Sequence, residues 1–157
     1  MLTPDLEAAI TQCVEDAKRV MLECIKDETS LPPAMMVYVS GAISIIDTTP
    51  FMTNGMTKDL LAMMMKRALA KPEVDMVMLC AEAWMLKQKL TDPDPTEGIS
   101  NHPDRTEALI INVMTKDDNF FFGFPVDREN GTLGEQIGGP DAKVHGRFTH
   151  NPSGTKH

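Results

Sequence analysis

The chain has 157 residues, 42% hydrophobic and 24% charged, enough to bury one core without disulfide or metal staples. Its formal net charge of -8 argues against a general binder of nucleic-acid backbones, which needs clustered Lys and Arg to displace counterions. Three cysteines, an odd number with no C-x-x-C, exclude a zinc knuckle or a dithiol redox motif and point to reduced thiols in a cytoplasmic protein.

"MLTPDLEAAI" has no basic n-region or apolar h-region, so no signal peptide is expected. Residues 3–28 read as a helix, with Thr3 as cap and Pro4 where a missing N–H does no harm. Leu6, Ile10, Cys13, Ala17, Val20 and Cys24 alternate four and three apart. That seam suits packing on the chain's own sheet, and it is too short to establish a coiled coil. Cys13 and Cys24 would stand about 16 Å apart on this helix and cannot bridge within it.

"AMMVYVSGAISIIDTTP" predicts two strands, 34–39 and 42–48, turning at Ser40-Gly41. Its mostly apolar run of 13 residues is too short to cross a bilayer as a helix. "TKDLLAMMMKRALAKP" predicts a second helix, capped by Thr57 and stopped before Pro72, with Leu60, Leu61, Met64, Ala68 and Leu69 inward. Thirteen methionines make core and surface adaptable in shape.

Residues 75–86 have good helix formers, yet "VDMVMLCAEAWM" is apolar at almost every position, which favours a strand covered on both faces. After the polar stretch 91–105, "EALIINVMT" at 107–115 and "NFFFGFPV" at 119–126 read as an antiparallel pair turning at "KDDN". Beyond residue 130 apolar content collapses and Gly, Asn and Pro rise. The expected fold is therefore α+β, in the order α-β-β-α-β-β-β: a five-stranded antiparallel sheet with two helices, profilin- or roadblock-like in topology. Residues 1–130 form the single domain, and residues 131–157 form a flexible tail or a strap that docks on a partner.

Glu82 sits among nine apolar residues in "VMLCAEAWML". As an ionised group there it needs a partner, and Arg105, Arg128 and Lys87 are the candidates. Arg105 is the expected partner, giving a structural pair Glu82–Arg105 in which Pro103 fixes the approach. "HPDRTE" adds His102, Asp104 and Glu107, which with Glu82 could ligate a divalent ion in a small hydrolase, though the spacing is no known ligand signature. "EAW" at 82–84 followed by "PDRTE" at 103–107 resembles a pattern in a group of small bacterial and phage proteins with no assigned activity. That resemblance covers the central third of the chain. It implies a strand at 75–86 and a link between Glu82, Trp84 and Arg105, and nothing about activity.

"DPDPTEG" at 92–98 departs from a calcium loop, since prolines occupy two positions and Pro103 stands where the closing Glu belongs. His145, His150 and His157 in the Gly/Pro-rich tail have no fixed geometry. Nucleotide and α/β-hydrolase motifs do not occur, so no cofactor is expected and the leaning is away from an enzyme. Trp84, Met78, Phe120, Phe122 and Phe124 are candidates for an interface. The expected function is a non-enzymatic module that self-associates or docks on another protein, with no membrane or direct nucleic-acid partner. The alternatives are the metal-dependent hydrolase on Glu82, His102, Asp104 and Glu107 and, more weakly, an acidic inhibitor of a nucleic-acid-binding protein.

Overall fold

The computed structural model describes residues 2–86 and 103–140. Helix α1 (Pro4–Lys26) starts at Thr3, whose hydroxyl accepts from the Leu6 N–H. Strands β1 (Ala34–Val39) and β2 (Ala42–Asp47) form a hairpin whose two turn residues, Ser40 and Gly41, take positive φ. That is the backbone a tight hairpin demands. Helix α2 (Gly55–Ala70) follows a short turn at Thr49–Phe51. Strands β3 (Val74–Met85), β4 (Thr106–Thr115) and β5 (Asn119–Asp127) make an antiparallel meander. No helix among the described residues is long and apolar enough to cross a membrane.

The fold is α+β, but its antiparallel sheet has more than five strands. Two short strands, β6 (Thr132–Leu133) and β7 (Ile137–Gly138), both pair with β5. The sheet order is β2-β1-β3-β4-β5-β6, with β7 also on β5. Residues 132–138 thus belong to the sheet, because β5 offers its free backbone groups to the returning chain. Residues 141–157, including the tail histidines, lie outside the described residues.

The two helices take opposite faces. α1 buries Ile10, Cys13, Val14, Ala17, Met21 and Ile25 against Met76, Met78, Cys80, Leu109, Ile111 and the β5 phenylalanines. The seam drifts from the expected Val20 and Cys24 to Met21 and Ile25. A straight helix of 3.6 residues per turn walks off a seven-residue repeat, so α1 lies on a sheet rather than in a coiled coil. Met78, Phe120, Phe122 and Phe124, expected at an interface, are core residues under α1. Phe120 and Phe122 meet edge to face at 5.7 Å.

On the other face α2 buries Leu61, Ala62, Met65 and Leu69 over Met35, Val77, Leu79 and Met114. Its start differs from the expectation: Asn54 is the cap and Thr57 returns the bond three residues on. The buried stripe is also rotated from the expected one, which leaves Leu60, Met63 and Met64 exposed with Met56. Lys116, in the β4–β5 turn, donates to the carbonyls of Leu69 and Lys71 and closes the C-terminal end of α2. The Leu69 carbonyl lacks a helical partner and lies at the negative end of the helix dipole, while the Lys71 carbonyl also accepts from the Val74 N–H. Lys116→Met should lower unfolding stability by about 0.5–1 kcal/mol in urea titration, whereas Lys116→Arg should retain most of it.

Candidate functional site

Glu82 lies on the α1 face of β3, but α1 ends before it can cover that point. The returning chain at 27–33 crosses instead, and the Leu31 N–H donates to Glu82 Oε1 at 2.6 Å. A guanidinium does neutralise Glu82, and it comes from Arg128, just past β5. Arg128 Nη2 lies 3.3 Å from Glu82 Oε1 and 2.8 Å from Glu107 Oε1. Its Nε reaches both Glu107 oxygens at 3.1 and 3.0 Å, and Nη1 donates to the Thr29 carbonyl at 3.3 Å. Hydrogen bonding to Glu107 raises the Arg128 pKa above the free-arginine value, against the opposing effect of partial desolvation. The side chains of Glu82, Glu107 and Arg128 are 19%, 21% and 36% exposed, so the cluster is half-buried rather than sealed.

The expected Glu82–Arg105 pair is replaced by this arrangement. Glu107 stands opposite Trp84 in the β3–β4 register. Arg105 therefore falls beyond the end of β4, and its guanidinium lies 4.5 Å from the centre of the Trp84 ring. Trp84 remains 46% exposed. Of the metal-site candidates, the structure brings Glu82 and Glu107 together, each engaged by Arg128. Asp104 is exposed ahead of β4, and His102 lies outside the described residues. Among the described residues no group of three His, Cys, Asp or Glu side chains is placed to hold a metal ion.

A second surface carries no motif in the sequence. Every position of β2 is exposed. Ile43 and Ile45 stand on the α1 face, opposite Tyr38 and Met36, while Ile46 stands on the α2 face, opposite Met35. Ile45 alone is 71% exposed. A groove of about 470 Å³ runs between α1 and the β1–β2 hairpin, with Met36, Cys13 and Cys80 at its base and Ile43 and Ile45 along its rim. Its sequence signal was "AISII", apolar on both faces of a strand. What sequence could not show is that this strand lies at the sheet edge.

Burial pushes the Cys80 thiol up to about 12, with Cys13 nearby adding to the effect, and burial likewise raises Cys13. Both are protonated, poorly nucleophilic groups at neutral pH. No family model, curated protein or solved structure matches the chain, the profilin- or roadblock-like topology included.

Replacing Arg128 with Met would leave two half-buried carboxylates facing each other. That should cost about 1–2 kcal/mol, tempered by solvent screening, and more than Arg105→Ala, whose guanidinium stacks on the exposed Trp84 ring. Urea midpoints of the two variants check the order. Cys80 gives a pH test. Above the ordinary thiol value of 9.0 the unfolded thiol ionises while Cys80 in the fold does not, so stability falls as pH rises toward about 12. Wild type should lose stability more steeply than Cys80→Ala across that window.

Proposed function

We propose that the chain is a non-enzymatic protein-docking module whose docking element is the open β2 edge with the groove beside it. The carrying observation is a regular six-residue strand, exposed at every position, with three isoleucines and no charge before Asp47. Sheet edges are usually blunted by lysine, proline, bulges or a covering loop. β2 contains no lysine, proline or bulge. A partner segment in extended conformation would gain main-chain hydrogen bonds from the edge and side-chain burial along the groove. The half-buried Glu82–Arg128–Glu107 cluster supports the same reading. Its carboxylates are engaged in tying the 27–33 segment to β3, β4 and the end of β5, and so hold the groove's wall in place.

A short peptide of alternating valine and threonine, flanked by lysine for solubility, tests this. Amide resonances of Ala42–Asp47 and of the groove residues Met36 and Cys80 should shift on titration, while those of α2 stay fixed. Unmoved Ala42–Asp47 resonances at millimolar peptide would overturn the reading.

A further inference from the structure

The two edges of this sheet differ. One edge is finished by β6 and β7, two residues each, interrupted at residues 134–136. Gly138 has φ 79 there, and a side chain at that position would collide with the Phe121 carbonyl. Short, broken, twisted strands discourage further pairing. Among the described residues the β2 edge has no such protection. What it does have is a sequence that complements itself.

Resting on the docking reading above, we infer that the occupant of β2 is a second copy of this chain, added antiparallel about a two-fold axis at Ser44. The hydrogen-bond frame comes from the hairpin. Val39 and Ala42 close a two-residue turn, so Ala42, Ser44 and Ile46 bond inward to β1 and Ile43, Ile45 and Asp47 aim their N–H and C=O outward. A two-fold axis perpendicular to the sheet keeps each residue and its symmetry mate on one face, so only residues of equal parity stand opposite each other. Centred on Ser44, Ile43 stands opposite Ile45 of the second copy, and each such pair exchanges both backbone bonds. Ala42 stands opposite Ile46, small against large, on the α2 face. Asp47, whose carboxylate accepts from Thr49, stands opposite Gly41 and meets no like charge. Shifting the centre to Ile45 would set Ile43 against Asp47.

The four isoleucines that gather at the axis continue the apolar rim of both grooves, which covers surface the helices leave bare. A single strand-to-strand contact is small, so the dimer dissociates on dilution. Two copies each carrying a net charge of -8 repel at long range, so association tightens as salt screens them.

Sedimentation of the full chain over a dilution series tests the inference. Wild type should pass from dimer to monomer, and the dimer should strengthen with salt. Ile45→Lys should weaken association about a hundredfold, because it desolvates a charge at the axis. Met63→Lys, on the exposed side of α2, should not weaken it. In a Cys24→Ser background, Ser44→Cys should cross-link two chains under oxidised glutathione, since non-hydrogen-bonded partners stand close enough for a disulfide. Ile46→Cys should not cross-link. A wild type monomeric at millimolar concentration overturns the inference. So does a dimer that survives Ile45→Lys, or one that Ser44→Cys fails to trap. If the chain is monomeric while the valine–threonine peptide still binds β2, the dimer fails and the docking function stands. If neither binds, both fail.

Discussion

Strands β3 and β4 are apolar on both faces, and that constraint shapes the molecule. Met76, Met78 and Cys80 point one way and Val77 and Leu79 the other, all buried. A sheet with two greasy faces needs cover on both. The described residues supply two long helices, and each takes one face. α1 lies over the β3–β5 side, α2 over the β1–β3 side. This removes one sequence-level reason to expect an oligomer, a whole bare face. It leaves a narrower one: two helices centred on β3 and β4 do not reach β2.

The second constraint is the end of the sheet where α1 stops short. A half-buried carboxylate on β3 lies there, and the chain brings three further segments to it. Leu31 donates a backbone N–H to Glu82, and Arg128 joins Glu82, Glu107 and the Thr29 carbonyl. A planar guanidinium suits this task, because its fork can engage Glu107 through Nε and Nη2 while the same side chain reaches Glu82 and a carbonyl. The cluster therefore acts as a clasp on the 27–33 connection, which leads directly into β1 and sets where the hairpin sits relative to α1. The groove between α1 and β1–β2 follows from that placement.

Much of the fold was legible in the sequence. The hairpin at 34–47 was marked by Ser-Gly between β-branched runs, and the meander by long apolar stretches around "KDDN". Resolving 75–86 as strand depended on the absence of any polar face, and β3 runs from Val74 to Met85. The errors have physical causes. Helix faces were misjudged by one residue at Leu60 and Met64 because several adjacent methionines and leucines blur the 3.6-residue period. The short strands β6 and β7 were hidden in a Gly-rich segment, since two-residue strands carry no periodicity. Glu82's need for a guanidinium was readable, but its choice of Arg128 over Arg105 was not. That choice depends on the β3–β4 register, which places Glu107 opposite Trp84 and sends Arg105 past the strand end. The openness of β2 was equally invisible, because edge position is a property of strand order.

The central claim is that β2 is an association strand held open by the rest of the fold and closed by another copy of itself. Amide hydrogen exchange at Ile43 and Ile45 tests it most directly, because their N–H groups point away from β1. The account predicts slow exchange at high protein concentration, giving way to fast exchange on dilution, with the amides of Ser44 and Ile46 protected throughout. Fast exchange at Ile43 and Ile45 at every concentration would contradict it.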